Sequence, residues 1–120
     1  MYDIFLVEDE TLIRMMVAEM AEELGHCVVA EAGSIEDAQP LAENARFDLA
    51  ILDVNIGGRN ICPIAQIVEG RGVPLLFASG YGNTGLPEPF KDRKILRKLF
   101  QIEELSKAID FVFTRAAGKF

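Results

Sequence analysis

The chain is poor in nitrogen and sulfur donors. Its 120 residues hold one histidine, His26, and two cysteines, Cys27 and Cys62. The cysteines have no metal-binding spacing and are expected to be buried thiols. His26 follows Gly25 at a turn and reads as a surface residue, neither a metal ligand nor a phosphate carrier. Long apolar runs are missing too, since none approaches the roughly 20 residues of a membrane span. The N-terminus lacks the basic, apolar, small-residue order of a secretory signal. Basic residues are outnumbered, with 12 Lys and Arg against 19 Asp and Glu, a net charge of −7 and a pI near 4.7. That balance argues against gripping nucleic acid, which takes a basic face. A cytoplasmic protein with no nucleic-acid or membrane partner is expected.

What the chain does have is alternation of short apolar runs and helical patterns. "IFLV" reads as a buried strand. Leu12, Ile13, Met16, Val17, Met20 and Leu24 recur at helical spacing up to Gly25. "CVVAE" is a second strand. Ser34 and Asp37 resemble a capping box, followed by Ala38, Leu41, Ala42 and Ala45 on one face. "LAILD" is a third strand, apolar enough to be covered on both sides. "NIGGRN" reads as a loop, after which Asn60 can cap a helix that tolerates Pro63 in its first turn and buries Ile64, Ile67 and Val68. "VPLLFAS" is a fourth strand and "KILRK" a short fifth. Ile102, Leu105, Ile109 and Val112 mark a last helix. Between the fourth and fifth strands, "GYGNTGLPEPFK" holds three glycines and two prolines. A short or irregular fourth helix is expected there.

Five strand–helix units in one domain of this length predict an α/β fold, a parallel sheet covered on both faces. Ligands of such sheets sit at the carboxyl ends of the strands. Glu8 and Asp9 follow the first strand, Asp53 ends the third, Ser79 ends the fourth, and Lys98 follows the fifth. Three carboxylates without histidine or thiolate suit a hard cation such as Mg²⁺, which offsets their mutual repulsion. One carboxylate can then act as a nucleophile toward phosphorus, with a hydroxyl and an ammonium holding the transferred oxygens. Glu10 is expected to turn away into the first helical turn, where the helix dipole favours an acid. Singly, these residues also fit ordinary roles: an N-cap for Asp9, a turn for Asp53 or Ser79, a solvated charge for Lys98. Their joint placement at four strand ends is what favours a site.

On these residues the chain resembles the receiver domain of bacterial response regulators, over essentially its whole length, 1–120. The resemblance implies a flavodoxin-like (βα)5 fold with strand order 2-1-3-4-5. It implies Asp53 in "LAILDVN" as phosphoacceptor, 44 residues after Asp9. It places Mg²⁺ (or Mn²⁺) on Glu8, Asp9, Asp53 and the backbone carbonyl of Asn55, with Ser79 as switch hydroxyl and Lys98 as phosphate contact. "PLLFASGYG" is similar to the "PFxFATGYG" signature of stand-alone receivers. There Ile95 holds the place of the usual switch aromatic, and Tyr81 follows the hydroxyl. The implied partners are a sensor histidine kinase or histidine phosphotransfer protein and a downstream protein target; no output domain is expected, and no enzyme activity beyond its own phosphorylation and dephosphorylation.

One departure is Lys98-Leu99-Phe100, where the family has Lys-Pro-Phe. A cis bond before leucine costs about 3 kcal/mol. A trans bond at 98–99 is therefore expected, with Lys98 displaced and Arg97 a possible but oppositely directed substitute. Alternatives are a constitutive binding module that is not phosphorylated, and an aspartyl-nucleophile phosphatase. Asn55 stands where the phosphatases carry their second aspartate. No G-x-G-x-x-G follows the first strand, which disfavours dinucleotide binding.

Overall fold

The structure is a computed structural model describing residues 1–80, 86, 90, 93 and 95–118, with backbone alone for 115–118. Five parallel strands form one sheet: β1 (Asp3–Val7), β2 (Cys27–Ala32), β3 (Leu49–Asp53), β6 (Leu75–Ser79) and β7 (Ile95–Arg97), in the order β2-β1-β3-β6-β7. This is the 2-1-3-4-5 order expected from the sequence. Helices α1 (Thr11–Glu23), α2 (Ile35–Asn44), α3 (Cys62–Gly70) and α4 (Ile102–Gly118) cover it.

Strand alternation divides the apolar residues between two cores. Phe5, Val7, Ala50, Leu52, Leu75 and Phe77 face one side, with Ala38 and Ala42 of α2 and Ile64, Ala65 and Val68 of α3. Ile4, Leu6, Leu49, Ile51, Leu76 and Ala78 face the other, with Val17 and Ala21 of α1 and Leu105 and Ile109 of α4. The central strands β3 and β6 are buried at every residue, as their unbroken apolar runs require.

Several expectations are corrected. "NIGGRN" is not a plain loop: β4 (Asn55–Ile56) and β5 (Arg59–Asn60) pair antiparallel across Gly57 and Gly58, at φ +58° and +80°. Two successive positive φ values are the turn that matches strand twist, and glycine adopts them without steric cost. Asn60 is not the N-cap of α3, a position held by Ile61; it lies one residue earlier and accepts the Cys62 N–H on its Oδ1 at 2.9 Å. Of the residues that recur at helical spacing in α1, Val17 is buried, whereas Leu12 and Met16 are exposed. Cys27 is exposed on the edge strand β2, whereas Cys62 is buried; neither is paired.

His26 is not a plain surface residue. Its Nδ1 accepts the Tyr2 N–H at 3.1 Å and its ring stacks on Tyr2, which stacks on Phe113 with centroids 3.8 Å apart. Burial, aided by the nearby N-terminal ammonium, holds its pKa below the usual value. Ser34 caps α2 as expected, accepting the Asp37 N–H at 3.1 Å. The expected fourth helix and Tyr81 fall on 81–85, 87–89, 91–92 and 94, outside the described residues.

Candidate phosphoacceptor and metal site

The carboxyl edge of the sheet is built by register. Val7 lies opposite Leu52, Asp53 opposite Ala78, and Ser79 opposite Arg97. One further step along each strand brings Glu8, Asp53, Ser79 and Lys98 to a common level. The main chain continues the ladder there: the Val54 N–H donates to the Ala78 carbonyl at 2.9 Å, and the Lys98 N–H to the Ser79 carbonyl at 3.0 Å. Glu8, Asp53 and Ser79 are the only buried polar or charged residues among those described, at 3%, 6% and 3% exposure. Polar groups are not buried without partners at small cost, so their grouping at one edge marks it as the site.

Glu8, Asp9 and Asp53 each bring one carboxylate oxygen to within 4.8 Å of the others. The Lys98 ammonium joins them, 2.6 Å from Glu8 Oε1 and 2.8 Å from Asp53 Oδ2. The peptide at 98–99 is cis, against the expected trans, and Lys98 is not displaced. The Ser79 carbonyl holds its N–H on one side and the burial of Phe100 anchors the chain on the other. Arg97 is exposed.

Charge repulsion among the three acids is met by identifiable groups. Burial pushes the Glu8 carboxyl up to about 7, against the pull of Lys98 and of the Glu10 N–H, which donates to Glu8 Oε2 at 3.0 Å. At Asp9, burial is outweighed by the Gly57 N–H, 2.9 Å from Oδ2, and the carboxyl lies below its usual value. Burial also opposes the charge on Lys98, yet its two carboxylate partners raise its pKa. Glu10 is exposed and precedes α1 with extended backbone, rather than sitting in the first turn. The donor set is all oxygen and compact, which fits a hard divalent cation; Glu8, Asp9 and Asp53 would hold it.

Of the remaining expected residues, the Asn55 N–H lies 3.4 Å from Asp53 Oδ1 at the start of the β4–β5 hairpin. Ile95 is half-buried against the core that holds Phe77 and Phe90. Two residues escaped the sequence reading. Gly57 orients Asp9, and Arg14 donates from Nη1 to the Glu8 carbonyl at 2.7 Å. A Gly-Gly pair between short polar-apolar segments is a hairpin signal and was legible. Arg14 stands six residues after Glu8 and carried no signal in spacing.

Similarity to known proteins agrees with this geometry. The chain is 35% identical over 116 residues to the transcriptional regulatory protein PdtaR of Mycobacterium tuberculosis, covering 93% of this chain and 57% of that protein. The chain thus spans little more than half the length of that curated relative. The solution structure of SdrG from Sphingomonas melonis Fr1 matches with a TM-score of 0.80 and 33% identity, over 92% of this chain and 95% of that one. The BeF3-activated conformation of SdrG from Pseudomonas melonis Fr1 matches with a TM-score of 0.76 and 34% identity, over 90% and 92%. The response regulator receiver domain profile aligns with residues 4–110, from the first buried residue of β1 into α4, and the chain belongs to that family.

Proposed function

We propose that Asp53 accepts a phosphoryl group from a phosphohistidine of a sensor kinase or phosphotransfer protein, and that the phosphorylated chain signals by binding a protein target or passing the phosphate on. A single observation carries this reading: a nearly buried carboxylate at the strand edge with an ammonium 2.8 Å away and two further carboxylates within 4.8 Å. A carboxylate oxygen of Asp53 forms the new bond to phosphorus as the histidine N–P bond breaks, and the freed imidazole takes up a proton. Mg²⁺ held by Glu8, Asp9, Asp53 and the Asn55 carbonyl would neutralise charge developing on the phosphoryl oxygens. Lys98 and the Ser79 hydroxyl take the other oxygens. Recruitment of Ser79 then shifts a conformational population after β6, to which Ile95 responds. That the similar protein SdrG has a BeF3-activated conformation supports a response to a phosphate-like group.

The alternative of a constitutive, unphosphorylated module rested on displacement of Lys98. With that ammonium on both carboxylates, no observation favours it. The test is incubation with Mg²⁺ and acetyl phosphate followed by intact mass. A gain of one phosphate in the wild type, absent in Asp53→Asn, is the expected result. No gain in a folded wild-type chain, or an undiminished gain in Asp53→Asn, sinks the reading.

A further inference from the structure

The outer side of the β1 exit carries a contact with no role in the reading above. Arg14, in the second turn of α1, extends its guanidinium across the chain to the end of β2. Its Nη1 donates to the Glu8 carbonyl at 2.7 Å, and its Nε pairs with Glu31 Oε1 at 3.3 Å. The Arg14 side chain is 22% exposed and that of Glu31 45%. The guanidinium passes directly over Gly33: a Cβ added there would stand 2.7 Å from Nη1. Real Cβ atoms do not stand that close, so a side chain after β2 would force the Arg14 guanidinium to shift from where it meets the Glu8 carbonyl.

We propose that Arg14 is a positioning residue for the cation-holding carboxylates, acting through the Glu8–Asp9 peptide; this rests on the metal-dependent reading above. The Glu8 N–H already donates to the Ala32 carbonyl at 3.0 Å. With its carbonyl fixed by Arg14, both polar groups of Glu8's main chain are held. The carbonyl of Glu8 belongs to the peptide unit leading into Asp9. That planar unit has no internal freedom, so fixing its oxygen sets where the Asp9 carboxylate starts. Loss of Arg14 leaves the ligands chemically intact but frees the turn that aims them. Groups that orient metal ligands in this way typically account for roughly 10- to 100-fold in metal affinity.

Two substitutions break the contact from opposite sides. Arg14→Ala removes the donor. Gly33→Ala retains it and pushes the guanidinium off, because Gly33 lies outside the left-handed region and its other neighbours, Glu8 O at 3.7 Å and Arg14 Cζ at 3.8 Å, are at ordinary contact distance. Mg²⁺ affinity of the full chain is measured by calorimetry, alongside hydrogen exchange of the Asp9 and Glu10 amides in the metal-free protein. Each single variant is expected to weaken Mg²⁺ binding about tenfold and to speed exchange at both amides. The double variant should be no weaker than either single one, because both remove the same contact. Arg14→Lys should recover part of the affinity. Glu31→Gln, which leaves the Glu8 contact in place, should stay within about twofold. Wild-type affinity and exchange in both single variants, or effects that multiply in the double, overturn the positioning role while leaving the metal site standing. A wild type that binds no Mg²⁺ overturns the site itself, and this inference with it.

Discussion

Glu8 is the residue whose chemistry differs most from its exposed counterpart. Its carboxyl, pushed up to about 7 by burial, has to release a proton before it can hold a cation. Mg²⁺ affinity is therefore expected to climb with pH and level off above about 7. Below that point it should fall by roughly tenfold per pH unit. The sign for folding is opposite in the metal-free chain. A carboxyl whose folded pKa lies above its unfolded value of 4.5 contributes stability below 4.5 and loses it as pH rises through about 7. The stabilisation conferred by Mg²⁺ should accordingly be larger at pH 7.5 than at pH 5.5. Melting curves at both values, with and without Mg²⁺, check this, and an equal shift at the two pH values contradicts it. The gathering of Glu8, Asp9, Asp53 and Lys98 at one edge was legible because a parallel sheet exposes its chemistry at the strand ends. Arg14 was not, because a long side chain can reach many neighbours and only coordinates show that it crosses Gly33.

At the scale of elements, α1 is the informative case. Its helical spacing identified the helix, and Val17 and Ala21 are indeed buried against the sheet. Leu12 and Met16 share that spacing yet are not buried, since periodicity gives direction around a helix but not how far the helix overlaps the sheet. Leu12, Met15 and Met16 are exposed at 76%, 53% and 42%. Leu99, exposed at 67%, stands beside Lys98 and lines a shallow hollow with Met16, Met20 and Phe100. On the function proposed above, a protein delivering a phosphoryl group to Asp53 would approach over this edge, where these side chains would offer it apolar contact. Leu12→Ser and Leu99→Ser should each slow phosphotransfer from a cognate phosphohistidine protein about tenfold, as expected for loss of a 1.4 kcal/mol contact at an interface. Phosphorylation by acetyl phosphate, which needs no such contact, should change by less than about twofold. Equal losses with both donors would falsify a docking role. The β4–β5 hairpin shows the reverse limit of sequence reading. Its Gly57-Gly58 signal was present, yet four strand residues between polar neighbours looked like loop until pairing was seen.

For the molecule as a whole, the two cores followed from unbroken apolar runs in β1, β3 and β6, whose alternate residues turn to opposite helices, whereas the order of strands was implied by the resemblance to receiver domains. The two ends of the chain were not legible in that pattern. Tyr2, before β1, stacks with His26, just before β2, and with Phe113 in the fourth turn of α4. The family alignment stops at 110, three residues short of that ring. Homology alone would place the limit of the folding unit before a side chain that clasps its first strand. A chain cut after Asp110 should retain the acid site at the opposite edge of the sheet yet melt several degrees lower, as aromatic pairs add about 0.5–1.5 kcal/mol beyond their buried area. Phe113→Ala in the uncut chain should reproduce much of that drop, and an unchanged melting point in both would show the clasp to be idle. The stretch that matches the family and the unit that folds thus end at different residues, so any fusion or trimming at the C-terminal side has to respect an aromatic ring rather than a sequence signature.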